Sequence, residues 1–343
     1  MNKLRSYYKI YFSVICLLTF SYGSSTVDEV TKVGTAAANW LKLETGTRAI
    51  GMGGAFTSIG SGIIGIPYNP SSVAFIKNQE GFLSKTSYLA DISYHVMGYG
   101  RNLSGIDFVA LHAFFLNSGP MNVTTEFYPD GTGETFSFNA MCIRAAFGKR
   151  ITNRLRIGVA GKFIREEIYT TYMQSFALDI GSNFNTGIYG FVLGMSISNL
   201  GPEVQFEGDG FEYECDEEDA PSGFCKKIAD SFILPLTFRL GLSNEIIGPK
   251  SDLIEAKHHK LLVSVDAINP IDYTLYGAIG MEYNYSDMFF LRGGTHFGHD
   301  TADWSLGGGL KLEINKYTFG LDYAYVNYGI LNYTHQFGLN FEF

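Results

Sequence analysis

Alternation of apolar and polar residues, repeated in segment after segment, constrains this chain more than any other feature. In Tyr333–Phe343 one parity reads Tyr333, His335, Phe337, Leu339, Phe341, Phe343, and the other Thr334, Gln336, Gly338, Asn340, Glu342. Successive side chains of a strand point to opposite faces, so this segment has one aromatic-rich face and one polar face. Tyr317, Phe319, Leu321, Tyr323 and Tyr325 repeat the pattern against Thr318, Gly320, Asp322 and Ala324. Leu306, Gly308, Leu310, Leu312 and Ile314 do so against Ser305, Gly307, Gly309, Lys311 and Glu313, with the charges again on one parity. A soluble sandwich also alternates, but its polar parity faces water and it would not line the other with so many Phe and Tyr. A strand that meets lipid with every second residue and a polar interior with the rest belongs to a transmembrane β-barrel.

The same test along the chain predicts an all-β fold, a 14-stranded antiparallel transmembrane β-barrel preceded by a short N-terminal plug containing one helix. The strands fall near 80–88, 92–101, 106–116, 135–148, 155–167, 174–185, 188–199, 233–246, 259–267, 273–285, 288–297, 303–314, 317–326 and 333–343. With a periplasmic start, Asn102–Gly105, Lys149–Arg154, Thr186–Gly187, Ser286–Asp287 and Asn315–Lys316 are tight inner turns. Asn117–Glu134, Ile168–Met173 and Leu200–Phe232 are longer outer connections. Ile247–His258 is an inner connection that breaks the rule, and is read as a short helix or a contact for a periplasmic partner.

Composition agrees. Of 343 residues 46% are hydrophobic and only 17% charged, where a soluble domain carries roughly 25%. There are 40 Gly, 28 Phe and 22 Tyr beside 2 Trp, which excludes disorder. Beyond the first 22 residues no run approaches the roughly 20 apolar residues of a membrane-spanning helix. The net charge of −9 argues against a nucleic-acid partner.

Residues 1–23 have a basic start (Lys3, Arg5, Lys9), an apolar stretch Ile10–Phe20 and small residues after it, the layout of a cleaved secretory signal. The apolar stretch is too short to span a bilayer, and Cys16 has no lipobox before it. The chain is therefore expected in the bacterial outer membrane, with outer-membrane lipid as its first partner.

Residues 24–78 form the expected plug and 79–343 the barrel. Gly34–Leu43 reads as a short helix and Arg48–Ile59 as a Gly-rich extended piece. Gly51, Gly53 and Gly54, with Asn69 and Pro70 further on, are the candidate plug residues, the glycines allowing backbone to pack on backbone. The alternative, a periplasmic tail, would leave Ala, Gly and Ile at high density in water. Lumen-facing Arg239, Asp266, Glu282, Lys311, Glu313 and Asp322 line a pore or tie the plug down; buried charges need partners, which favours the second.

Cys215 and Cys225 lie in a polar loop of an exported chain, so a disulfide is expected, stabilising that loop by about 2.5–3 kcal/mol in the chain-entropy model. Pro202–Asp230 holds ten acids and two lysines, and Glu207, Asp209, Glu214, Asp216, Glu217, Glu218 and Asp219 are the candidate external partner surface. Their order is not that of a calcium loop, and a solvated acidic patch is the simpler reading. The seven histidines form no zinc set and no nucleophile, base and orienter set. No metal, cofactor or catalytic residue is assigned, and the chain reads as non-enzymatic. Gly51–Gly54 lacks the Lys-Ser/Thr of a phosphate loop.

Several stretches together resemble the PorV/PorQ group of outer-membrane barrels, a branch of the FadL-like superfamily. They are Gly34–Leu43 with Thr45–Phe56 (TGTRAIGMGGAF), Tyr68–Pro70 (YNP), Tyr88–Ile92 (YLADI), Pro129–Thr135 (PDGTGET), Ile151–Ile168 (ITNRLRIGVAGKFIREEI), Ser196–Pro202 (SISNLGP) and Leu321–Tyr325 (LDYAY). The chain departs from that pattern at Ser71–Ser72, at the apolar Ser61–Pro67 and in the large insert after Pro202. The resemblance implies a 14-stranded barrel with a plug. Its best-known member is an outer-membrane carrier of type IX secretion, which receives exported cargo proteins from a translocon. FadL moves hydrophobic compounds through a lateral opening beside its plug. The first expectation is a secretion carrier that meets translocon and cargo through Pro202–Asp230 and Asn117–Glu134. The alternative is uptake of hydrophobic small molecules past the plug, and a structural barrel or adhesin is the third reading.

Overall fold

A computed structural model describes residues 32–215, 224–249, 251–299 and 303–343. The expected signal segment 1–23, residues 24–31 of the expected plug, and Asp216, Glu217, Glu218 and Asp219 of the acidic run lie outside the described residues. Fourteen long strands form the wall: β1 Gln79–Ser87, β2 Ser93–Asn102, β3 Asp107–Asn117, β4 Phe138–Arg150, β5 Leu155–Ile168, β6 Thr171–Asn185, β7 Val192–Leu200, β8 Thr237–Gly248, β9 His259–Pro270, β10 Tyr276–Tyr285, β11 Phe289–Phe297, β12 Trp304–Ile314, β13 Tyr317–Asn327 and β14 Tyr333–Glu342. Each pairs antiparallel with its sequence neighbours, and β1 pairs with β14 from Glu80–Glu342 to Ser87–His335. The sheet is closed, and no barrel strand presents an unpaired edge.

Burial is inverted relative to a soluble protein. Leu83, Leu111, Phe176, Leu240, Met281, Leu291 and Leu321 are exposed on the outer face, while Lys162, Asp179, Arg239, Asp266, Glu282, Arg292 and Asp322 are buried inside. Exposed large apolar side chains at alternate positions all round a closed sheet make a surface suited to lipid rather than water. At the outer rim Tyr325 and Tyr333 pack ring on ring with His335, and Trp304 packs on Tyr325.

The expected strands are present, and four begin three or four residues later than the alternation indicates. Ile188–Phe191 belong to a turn closed by Thr186 N–H to Phe191 O at 3.0 Å, with Tyr189 and Gly190 at positive φ, so β7 starts at Val192. Thr135–Phe136 pairs with Met121–Asn122 in a separate two-stranded ladder, so β4 starts at Phe138. Residues before Thr237 and before Tyr276 likewise belong to connections. The connection 249–258 carries no helix among its described residues; Ile254–Glu255 instead lies parallel to Ile247–Gly248.

The helix expected over Gly34–Leu43 is absent. Ala38 sits at φ 52°, only Asn39–Lys42 turns once as a 3-10 helix, and Ala36 is engaged in a parallel bridge with Ile233. The helix (α1, Thr47–Gly51) lies instead in the stretch that reads as extended. It begins where Gly46, at φ 83°, accepts from Ile50 N–H at 3.0 Å, and ends before Gly53 and Gly54, both at positive φ. Two further 3-10 turns, Gly62–Gly65 and Pro70–Phe75, lead into β1.

Candidate functional site

The segment from Ala36 to Ile76 lies against the inward faces of the wall, entering at the end that carries the two long connections 118–137 and 201–236 and leaving at the opposite, turn end. α1 contacts β11, β12, β13 and β14, and Pro70–Phe75 contacts β3 to β6. Polar wall residues hold the backbone of this inner segment. Asp266 accepts from the N–H groups of Phe56 and Thr57 at 2.9 and 2.8 Å. Asn183 donates to Ser58 O at 2.7 Å and Ser196 to Tyr68 O at 2.6 Å. Glu282 accepts from Arg48 of α1 and from Arg292 of β11, which also donates to Asp322. Arg48, Glu282, Arg292 and Asp322 thus pair with one another, as burial of charge requires.

The candidate plug residues are placed as follows. The Oδ1 of Asn69 accepts from Ser71 N–H and Oγ at 3.1 and 2.7 Å, and its Nδ2 donates to Thr57 O and Ser182 O, both at 2.8 Å. Pro70 opens the 3-10 turn that Asn69 caps. Ser71 completes this junction. Gly51, within α1, comes so near β12 that an added Cβ would lie 3.1 Å from Gly307 Cα, and one on Gly53 would lie 2.7 Å from Thr295 N. Gly54 backs onto the Glu44 carboxylate. The wall is trimmed to match: at Gly280 and Gly294 the backbone of Met52 fills the space a side chain would need. Tyr68 exchanges hydrogen bonds with Thr45 N–H and O, and burial pushes its phenol well above the ordinary value, so it stays neutral.

Two cavities of opposite character lie on either side of this segment. At the turn end a space of about 480 Å³ is bounded by Arg48, Glu80, Lys260, Glu282, Arg292 and Lys311. Of the remaining expected lumen charges, Lys311 pairs with Glu342 at 2.8 Å, Arg239 lies over the Tyr68 ring at 5.4 Å, and Glu313 is exposed at the rim. At the loop end a cup of about 480 Å³ is bounded mainly by Trp40, Tyr88, Leu116, Phe138, Phe206 and Phe232.

The cup is built by the chain folding back over its own mouth. Ala37 N–H donates to Ile233 O at 3.0 Å, and Val204 and Phe232 exchange backbone hydrogen bonds at 2.8 Å, which sets Phe206 edge-on to Phe232. Trp40 stacks on Phe114 at 5.4 Å, and its indole N–H donates to Glu166 Oε2 at 2.8 Å. Lys42 binds Asp272 at 2.6 Å, and Glu44 meets His296 at 2.9 Å, fastening the entering strand to the opposite wall.

Below the cup the β6–β7 ladder breaks. Leu178 pairs with Leu200 but Ile180 with Ile197, so Ser198 and Asn199 together oppose Asp179, a bulge with Asn199 at φ 67°. Asp179 accepts from Asn199 N–H at 2.7 Å and from Lys162 at 2.6 Å, Lys162 also donates to Asn199 Oδ1, and Asn199 donates to Pro235 O at 2.7 Å. These contacts tie the bulge to the cap over the mouth. The lipid side of this wall region holds an apolar groove of about 500 Å³ along Phe147, Ile157, Val159, Ile180, Met195 and Phe238.

The disulfide Cys215–Cys225 is formed, with Cα atoms 5.8 Å apart, and closes a hairpin of Glu212–Glu214 and Phe224–Lys226. Of the acidic surface, Glu207 and Gly208 pair with Tyr172 and Thr171 at the end of β6, and Asp209 and Glu214 follow on the same excursion. Of the described acids of this run, none lines the cup. Among the described residues no group of three or more His, Cys, Asp or Glu is placed to hold a metal. Sequence reading missed the Trp40–Glu166 pair, the Ala36–Ile233 bridge and the bulge. Only the bulge leaves a trace, since Ser198 and Asn199 are successive polar residues in an alternating strand.

No family model and no curated protein matches the chain. Among solved structures it resembles the Pseudomonas putida toluene transporter TodX, with a TM-score of 0.55 at 12% identity over 87% of this chain and 97% of that one. The Ralstonia pickettii toluene transporter TbuX gives 0.54 at 11% over 88% and 98%, and a Pseudomonas aeruginosa FadL homologue 0.54 at 11% over 87% and 97%. At this identity the likeness is one of fold: a closed 14-stranded barrel of the FadL type.

Proposed function

We propose that the protein is an outer-membrane barrel that takes up hydrophobic small molecules. The observation that carries this reading is the division of the interior: an apolar, aromatic cup at the loop end, a charged cavity at the turn end, and a hydrogen-bonded inner segment between them. An open aqueous pore would not be filled along its axis, and an apolar molecule gains nothing by moving from the cup into a cavity walled by Arg48, Glu282 and Arg292. Its favourable route is sideways, through the wall where the β7 bulge interrupts the ladder, into the lipid. The likeness to toluene transporters agrees with this reading. Ala37, which lines the cup, is its simplest point of obstruction. In cells that depend on the protein for a labelled hydrocarbon such as toluene, Ala37→Trp should lower uptake at least several-fold while the barrel still folds. Unchanged uptake by a folded Ala37→Trp protein would remove the cup from the route.

The second reading, a secretion carrier of the PorV type, rests on the sequence motifs and on one structural feature, the disulfide-stapled pair of strands Glu212–Glu214 and Phe224–Lys226 at the loop end. Co-purification with a translocon barrel or exported cargo would favour it over uptake.

A further inference from the structure

The acidic residue in the cup defines what the cup accepts. Among the described residues that line it, Glu166 is the only carboxylate, and none is a Lys or an Arg. Glu166 stands two residues from the loop end of β5, half-buried, and is held in place by the Trp40 indole at 2.8 Å and the Ala38 backbone N–H. The nearby cations are committed elsewhere: Arg165 to Glu167 and the Tyr172 ring, Lys162 to Asp179, and Lys42 to Asp272. A carboxylate offers about four acceptor positions, so after two fixed donors it still accepts from a ligand.

We infer, resting on the uptake reading, that the cup selects neutral apolar molecules bearing a hydrogen-bond donor, alcohols above all, and rejects carboxylates, fatty-acid anions included. The apolar walls bind the hydrocarbon part and Glu166 accepts the hydroxyl. A ligand carboxylate would place a second negative charge beside Glu166, with no cation in the cup to receive it.

Trp40 reports the binding. The chain has 2 Trp, and Trp304 packs against Tyr325 on the outer rim, so Trp304→Phe leaves Trp40 as the single tryptophan. The probes are benzyl alcohol, toluene and benzoate at pH 8, read by Trp40 emission in the purified full-length protein. The expected result is that benzyl alcohol binds tightest and benzoate at least about tenfold more weakly, a modest effect for like charges a few ångströms apart at a half-buried site. In Glu166→Gln the gap should close to about threefold or less, mainly through stronger benzoate binding. Asn39→Lys, which brings a cation to the cup lining, should strengthen benzoate binding and does not depend on how Glu166→Gln folds. Equal binding of benzyl alcohol and benzoate by the parent, or a gap unchanged in both variants, overturns charge selection and leaves uptake standing. If none of the three probes alters Trp40 emission, the cup is not a ligand site and the uptake reading falls with it.

Discussion

Replacing Asp266 by Ala should loosen the inner segment at one known place. Asp266 is buried, and one of its oxygens accepts from both Phe56 and Thr57 N–H. Alanine leaves two buried backbone donors without that acceptor, each costing about 1–3 kcal/mol. Part of this is recovered because the carboxylate need no longer be desolvated. A net local cost of about 3 kcal/mol corresponds to roughly a hundredfold more frequent opening around Phe56, since 1.4 kcal/mol is a factor of ten. The segment should not leave the barrel, because the bond from Asn69 to Ser182 O, Asn183, Ser196 and the Arg48–Glu282 pair hold it independently. The opening is therefore sub-global. Hydrogen exchange of a peptide spanning residues 50–60 reads it directly: faster exchange in Asp266→Ala, with barrel strands unchanged. Asp266→Asn retains a carbonyl acceptor and should fall between, nearer the parent. If exchange in Asp266→Ala stays within about twofold of the parent, the carboxylate is not the anchor this geometry makes it.

Other perturbations probe separate parts of the structure. Gly294→Val places a side chain where the Met52 backbone lies; it should displace the inner segment and raise ion conductance in planar bilayers, and unaltered conductance would contradict a filled lumen. Lys162→Met leaves Asp179 buried without its ammonium partner, a change expected to cost about 3–5 kcal/mol and to lower the temperature of barrel unfolding in gel-shift assays. Cys215→Ser should open the paired strands Glu212–Glu214 and Phe224–Lys226 to protease, with the loss of about 2.5–3 kcal/mol of chain-entropy stabilisation, while hydrocarbon uptake is retained because neither strand lines the cup.

The wall was legible in the sequence because a closed barrel imposes a period of two on every strand, and lipid on one side makes that period chemical. Phe337, Leu339 and Phe341 could be assigned outward and Gln336 inward from residue type alone. The same logic identified Asp266 and Glu282 as lumen charges needing partners, although their partners, the Phe56 and Thr57 amides and Arg48, are more than 200 positions away. Periodicity fails where the chain stops being periodic. The inner segment is held by wall contacts rather than by propensity, so Thr47–Gly51 is α-helical despite the glycines at and after its end, and Gly34–Leu43 makes only a single 3-10 turn despite its alanines. The cup was hidden for a related reason: Trp40, Leu116, Glu166 and Phe232 come from four distant parts of the chain, and Glu166 reads as one acid in a polar strand end. The motifs that resemble PorV and PorQ lie largely in the inner segment and strands, the parts a FadL-type barrel needs whatever it carries. They therefore bear on fold more directly than on cargo.

The most direct test of the central claim is the position of a bound hydrocarbon. In crystals of the protein grown with 1-bromooctane, the anomalous signal of bromine should place the chain of the ligand in the cup among Trp40, Leu116, Phe206 and Phe232. Bromine found solely on the outer apolar belt, with the cup occupied by water, would contradict it.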